Sequence, residues 1–331
     1  MSKLKKKLKE IIPLFEPNFI EIKELRRLSG GSSNESWLLV LKTNNEDKFL
    51  VFRRTPDGKI KDSTVSSFIG IDNEAKIMNL AYKHGVPVPK IYHIIDESYD
   101  IGKGFFMEYL EGLTIGNRIV RDHSLKDIKA TLARQCGEIL SMIHQIPIDN
   151  LIDIPTSTAD NEINKYEEVY IKHDSPIPVF DLAFKWLRKN IPYQDELTLV
   201  HGDFRNGNLI IHPKDGISGV LDWEIFHLGD PYEDLSWICV NSWRYNNINL
   251  PVGGFGSRED MYIAYEKSSG KKLDRERAKY WEILGTLKWG VMCLNMIEIY
   301  RSGFDKSIDR VSIGRRSSET EIDLIRLLLI D

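Results

Sequence analysis

Cysteine is scarce in this chain, with three in 331 residues: Cys136, Cys239 and Cys293. They lie far apart in apolar helical contexts, which argues against a disulfide framework or a cysteine metal site and leads to an expectation of buried, reduced thiols and a cytoplasmic setting. Long hydrophobic runs are also lacking. No stretch reaches the roughly 18 apolar residues of a membrane span, and no signal-peptide core precedes a cleavage site. Nor is there a surplus of positive charge, since 45 Lys and Arg stand against 49 Asp and Glu for a formal net charge of -4. That mixture offers no broad cationic surface to a nucleic acid. The basic stretch 2–10 is the exception. Leu4, Leu8, Ile11 and Ile12 recur there at helical spacing without aromatics, so packing on the body of the protein is expected rather than lying on a membrane. Internal repeats and low-complexity tracts are absent. A chain of this length buries roughly 75% of its extended surface and needs no covalent staples.

What is present is concentrated in Leu199 to Trp223, LVHGDFRNGNLIIHPKDGISGVLDW. Asp203 and Asn208 are five positions apart on an expected loop, and Asp222 ends an apolar run after a hairpin through His212 to Ser218. This ordered Asp, Asn, Asp set has the spacing of a kinase-type phosphoryl-transfer site. Mg2+ takes hard oxygen ligands, usually one or two carboxylates plus phosphates and water, and Asn208 with Asp222 would supply them. An acceptor hydroxyl must be aimed at the γ-phosphorus and lose its proton, a task for a carboxylate; Asp203 is the candidate. Taken singly, each of these residues could be an ordinary turn residue. From Asp222 to Asp234 is 12 positions (234 minus 222), too few for a segment on which a peptide could be laid, so the acceptor is expected to be small.

The preceding half supplies further candidates. Ile22 to Leu28 and Trp37 to Leu41 read as strands around the small-residue loop Ser29 to Asn34, in which Gly30, Gly31, Ser32, Ser33 and Asn34 would close backbone N–H groups over phosphates. A plain hairpin turn is the competing reading. Phe49 to Arg54 forms a third strand, where Arg53 would reach the α- and β-phosphates and Arg54 competes for that role. Ser66 to His84 has helical character and brings Glu74 toward Arg53; a solvated helix carboxylate is the alternative. Lys90 to Ile95 and Gly104 to Tyr109 read as two more strands. Phe106 to Gly112 then offers backbone groups, at Glu108 and Leu110, to an adenine edge, or is a plain edge strand. Helices are expected around Leu125 to Gln145, Glu162 to His173, Pro178 to Asn190, Tyr232 to Ser242, Arg258 to Ser269, Asp274 to Arg301 and Ser318 to Ile330, with Pro147 to Glu162 loop-like and Pro251 to Ser257 a substrate-side loop.

With HGD and Asn208, DWE at 222–224, GDP at 229–231, Asp234-Leu235, and the stretches SGGSSNESW, FLVFRRTP, VPVPKIY, FFMEYLEG and IGRRSSETEIDLIRLL, the chain resembles the aminoglycoside phosphotransferase-like small-molecule kinases. It is most similar to the subgroup also found fused to acyl-CoA dehydrogenase domains, thought to act on hydroxyacyl compounds. The resemblance implies an α+β, bilobal protein-kinase-like fold: an antiparallel-sheet nucleotide-binding lobe over 1–111 and a larger, mostly helical catalytic and substrate-binding lobe over 112–331. It implies ATP as donor, with GTP left open, Mg2+ on Asn208 and Asp222, Asp203 as catalytic residue, and Arg53 in place of the usual lysine with Glu74 as its helix partner. Glu224 stands where a protein kinase has Gly, which disfavours a backbone flip of that segment. Asp230 and Asp234 are read as structural. The partner is a small-molecule alcohol; the oligomeric state is open. The competing readings are a catalytically silent nucleotide-binding module and a metallohydrolase using His201, Asp203, Asp222 and His227.

Overall fold

The computed structural model describes residues 3–28, 34–55, 69–147, 154–173, 176–194 and 196–330. They form two compact units, one of 3–28, 34–55, 69–111 and 219–224, the other of 112–218 and 225–330. The assignment of 219–224 to the first unit was not anticipated from the sequence.

The first unit is built on five antiparallel strands: β1 (Phe19–Arg27), β2 (Glu35–Thr43), β3 (Asp47–Thr55), β4 (Ile91–Ile95) and β5 (Lys103–Glu108), in the order β1-β2-β3-β5-β4. β2 and β3 are central and carry consecutive buried residues, Leu38 to Leu41 and Leu50 to Phe52, as strands covered on both faces do. Leu8, Ile11 and Ile12, from helix α1 (Lys3–Ile11) and the turn after it, join the sheet core with Leu39, Leu41, Phe52 and Phe106. The basic N-terminal stretch thus covers the sheet with its apolar face. Helix α2 (Ile71–Lys83) starts later than the periodicity suggests because Gly70, at φ +84, cannot extend a helix; the expected first turn at 66–68 lies outside the described residues.

The second unit is mostly helical: α3 (Gly116–Arg121), α4 (Lys126–His144), α5 (Ala159–Ile171), α6 (Pro178–Lys189), α7 (Tyr232–Trp237), α8 (Arg258–Ser269), α9 (Arg275–Arg301), α10 (Ile308–Gly314) and α11 (Ser317–Leu329). Helix α9 is buried on nearly every side from Tyr280 to Val291 and packs against α7, α10 and α11, which is why no apolar stripe marks its sequence; Glu282, Thr286 and Lys288 are buried there among the apolar residues. α5 begins before Glu162 because Thr158 and Asn161 form a reciprocal capping box. α7 stops at Trp237, short of the expected Ser242, and a separate 3-10 turn follows at Asn241–Trp243. Helix α10 was missed: it is short, and Ile308 at its start is three-quarters exposed.

Four short strands frame the motif. β6 (Thr198–Val200) pairs with β9 (His227–Gly229), and β7 (Leu209–His212) with β8 (Gly216–Val220). All three cysteines are buried and free, and burial pushes Cys239 up to about 12. Among the described residues no helix is long and apolar enough to cross a membrane.

Phe106 is fully buried and stacks on Phe52 at 4.6 Å between ring centroids, with Phe15 at 4.8 Å. Truncation to alanine should cost about 3–5 kcal/mol in urea unfolding of the whole chain. A loss under about 1 kcal/mol would show that this ring does not hold the sheet core.

Candidate active site

In the second unit, the backbone of 201–208 is held from behind by one buried carboxylate. Asp234, on α7, accepts the N–H of His201 at 2.7 Å and of Gly202 at 3.0 Å, and the His144 ring lies 3.3 Å from it. Gly202 is at φ +83, and a Cβ there would stand 2.8 Å from the Ile225 carbonyl oxygen, so only glycine makes this turn. The buried His201 ring accepts the Asp203 N–H at 3.2 Å. Asp230 accepts from Tyr232, Arg277 and Trp281 and fixes the start of α7 to α9.

The loop so held presents Asp203. Its Oδ1 accepts from Arg205 Nε at 3.0 Å and from Trp237 Nε1 at 2.7 Å. Its Oδ2 accepts from Asn208 Nδ2 at 2.7 Å. The carboxylate is therefore fixed in one orientation, with Oδ1 fully engaged and one acceptor position left on Oδ2. Trp237 ends α7 and is 4% exposed. Its indole N–H is a direct partner of the candidate base, a role no spacing rule exposes. Arg205 clamps Asp203 and lies over the Trp243 ring at 4.6 Å. Asn206 was missed too: fully buried, it donates to the Gly253 carbonyl at 2.7 Å and so braces the catalytic loop with the 251–256 turn.

In the first unit, Arg53 gathers three carboxylates. It donates from Nε to Glu74 at 3.1 Å and from Nη2 to Asp222 at 2.7 Å and Glu224 at 3.4 Å. Glu74 is almost fully buried on α2, so the solvated-helix reading does not hold. Burial disfavours the charged guanidinium, but Glu74, Asp222 and Glu224 outweigh it and raise the Arg53 pKa. Arg54 points to the other face, to Glu35 at 2.8 Å and the Ile101 carbonyl at 2.9 Å, as strand alternation requires. It is occupied there. Asn34 bridges Thr55 and Glu224; Gly30, Gly31, Ser32 and Ser33 lie outside the described residues. Glu108 closes β5 by pairing with Lys90, and Leu110 beyond it has no hydrogen-bond partner among the described residues.

Asp222 is at φ +69, a strained conformation for a non-glycine residue. One guanidinium against three carboxylates leaves the cluster acidic, but among the described residues no group of three or more His, Cys, Asp and Glu is placed to hold a metal ion. Asp222 and Asn208, whose amide nitrogen is spent on Asp203, are the hard oxygen donors that Mg2+ takes together with phosphates and water. Asp222 belongs to the first unit, and Asp203 and Asn208 to the second.

Residues 24–267 match the phosphotransferase enzyme family known as APH, and the chain belongs to that family. Acyl-CoA dehydrogenase family member 10 of Mus musculus is 31% identical over 228 residues, covering 66% of this chain and 20% of that protein. The chain spans between a fifth and about two fifths of the length of the curated relatives it matches. A solved Ralstonia eutropha structure assigned to the aminoglycoside phosphotransferases has a TM-score of 0.77 at 21% identity, covering 97% of each chain. Spectinomycin phosphotransferase, solved with ADP and spectinomycin, has a TM-score of 0.64 at 13% identity, over 96% of this chain and 98% of that one. The fold is thus the kinase-like α+β fold of these phosphotransferases, with an antiparallel-sheet lobe and a larger helical lobe.

Behind Trp237 lies a buried charge cluster. Its ring is 5.1 Å from the Lys288 ammonium, which pairs with Glu233 at 3.1 Å and Glu162 at 3.6 Å; His227 Nε2 lies 2.9 Å from Glu233. Burial opposes a charged His227, but Glu233 overrides it and raises the ring to about 9. A pKa raised in the folded state gives stability that is full below the ordinary value of 6.5 and is lost as pH rises through about 9. Urea unfolding of the wild type relative to His227→Gln should therefore lose on the order of 2–3 kcal/mol between pH 6 and pH 10. A difference that stays flat over that range would mean that His227 is not charged in the fold.

Proposed function

We propose that the chain moves the γ-phosphoryl group of ATP to a hydroxyl of a small molecule, with Asp203 as the catalytic base. The observation that carries this reading is the single open acceptor position on Asp203 Oδ2, on a carboxylate locked by Arg205, Trp237 and Asn208. Asp234 also meets three donors, but it is fully buried, whereas the Asp203 carboxylate is partly exposed and can be reached by a substrate. GTP as donor is left open. Structural neighbours solved with a nucleotide, spectinomycin phosphotransferase with ADP among them, support a nucleotide as co-substrate.

In the reaction, the acceptor hydroxyl donates its hydrogen bond to Oδ2, and its oxygen attacks the γ-phosphorus in line. The bond from the γ-phosphorus to the β-bridging oxygen breaks, ADP leaves with that electron pair, and the hydroxyl proton passes to Asp203. Arg53 is assigned to the α- and β-phosphates and Glu74 to orienting it through Nε, with Nη2, which rests on Asp222 and Glu224, turning to the phosphates when they bind. A planar guanidinium grips phosphate oxygens as a fork, where lysine would act as a point charge. The 30–34 loop, with Gly30, Gly31, Ser32, Ser33 and Asn34, is assigned to the phosphates, and backbone groups at Glu108 and Leu110 to the adenine. Asn208 and Asp222 are assigned to Mg2+, which when bound offsets the phosphate charge.

Asp203→Ala should lower kcat roughly 100-fold or more while leaving the melting temperature and the stabilisation by ATP and Mg2+ in place; ADP release with a turned-over alcohol measures it. Near-normal turnover removes Asp203 from the mechanism, and stabilisation without turnover on any alcohol favours a nucleotide-binding module. Trp237→Phe, which deletes one charged hydrogen bond and keeps the ring, should lower kcat roughly tenfold with KM for ATP unchanged. An unchanged kcat would show that the indole N–H serves only packing. Asn208→Ala and Asp222→Asn should each raise the Mg2+ concentration for half-maximal rate by roughly tenfold or more. An unshifted Mg2+ curve in both would refute the metal assignment.

A further inference from the structure

A cavity of about 570 Å³ within the second unit is lined by, among others, Arg121, Asn241, Ser242, Tyr245, Arg316 and Glu319. Its wall is part of the catalytic machinery. The Tyr245 hydroxyl donates to the Asn206 carbonyl at 3.4 Å, and Trp243, in the same turn, carries the Arg205 guanidinium that clamps Asp203.

Three observations give the cavity a chemical preference. Its charged lining is Arg121 and Arg316 against Glu319. Arg121, exposed at the end of α3, has no hydrogen bond or ion pair among the described residues. Arg316 pairs with the half-exposed Glu319 at 3.1 Å, donates to the Ser242 carbonyl at 3.2 Å and lies 5.7 Å from the Trp289 ring. It is held in place by contacts that do not exhaust its five donors. Second, Ser242 is 6% exposed and its Oγ has no hydrogen-bond partner. A buried hydroxyl without a partner is costly, and this one belongs to a residue lining the cavity. Third, Tyr245 and Asn246 are both left-handed, at φ +47 and +76. Two consecutive non-glycine residues in that region store strain of the kind kept where a ligand is gripped.

We propose that this cavity seats an anionic group of the acceptor, a phosphate or carboxylate carried by the alcohol whose hydroxyl meets Asp203. The assignment rests on the phosphotransferase reading above. Arg121 and Arg316 supply forked, charge-assisted hydrogen bonds to the anion, Ser242 Oγ donates a third, and the two arginines disfavour a polycationic acceptor. The anion anchors the far end of the substrate while the Tyr245 and Trp243 turn links the anchor to the catalytic loop.

The test uses matched alcohols, glycerol 3-phosphate against glycerol and 3-hydroxybutyrate against 1,3-butanediol. They are titrated into the whole chain with saturating AMP-PNP and Mg2+ and followed by tryptophan fluorescence, since Trp243 and Trp289 border the site. At least one anion should bind roughly tenfold or more tightly than its neutral twin; the pair that shows it tells phosphate from carboxylate. Arg121→Gln, which breaks no hydrogen bond or ion pair among the described residues, should cut that preference roughly fivefold, and Arg121→Gln with Arg316→Gln should abolish it. Glu319→Gln should raise anion affinity about two- to threefold. The same samples give the melting shift on adding AMP-PNP and Mg2+, and loss of that shift in the wild type refutes the nucleotide reading instead. The anion proposal is overturned if neither pair shows a preference, or if the preference survives the double variant.

Discussion

The rest of the structure depends on holding one carboxylate in a fixed orientation. Asp203 achieves this with three donors from different parts of the second unit: Arg205 and Asn208 from its own loop, and Trp237 from α7. The loop cannot hold that geometry alone, because its backbone turns through two left-handed glycines, Gly202 and Gly207. Asp234 supplies what is missing. It satisfies two successive backbone N–H groups from a fully buried position, and it sits on the same short helix as Trp237. One element thus fixes both the loop and the orientation of its side chain, so the two cannot drift apart.

The first unit solves a different electrostatic problem. Arg53 in a largely buried position would be unfavourable alone, and each of Glu74, Asp222 and Glu224 would be as well. Together they compensate one another, the guanidinium joining the three carboxylates by charge-assisted hydrogen bonds. The backbone at Asp222, at φ +69, is strained within that cluster. Glu224 ties Asn34 and Arg53 together.

Much of this was legible in the sequence, for identifiable reasons. The Asp203, Asn208, Asp222 spacing is local, so a motif conveys it. The strands of the first unit announce themselves by β-branched and aromatic runs between turn residues. Glu74 as partner of Arg53 followed from helix and strand order. What was missed depends on contacts distant in the chain. Nothing near Trp237 or Asn206 shows that one donates to Asp203 and the other to Gly253, because 34 and 47 positions separate the partners. Helix α10 escaped because it buries little, and α7 was drawn too long because Ile238, Cys239 and Val240 are apolar whether helical or not. The arginine-lined cavity was likewise invisible, since Arg121, Ser242 and Arg316 come from three segments that only the folded unit brings together.

The central claim is that the hydroxyl oxygen of an acceptor, and not water, takes the γ-phosphoryl group. Mass spectrometry of the products formed from ATP labelled with oxygen-18 on its γ-phosphoryl oxygens measures this directly. The account predicts that the three labelled non-bridging oxygens arrive intact on an alcohol, joined through the acceptor's own unlabelled oxygen, and that the Asp203→Ala chain yields almost none of this product. Label recovered only in inorganic phosphate, at the same rate with and without Asp203, would contradict it.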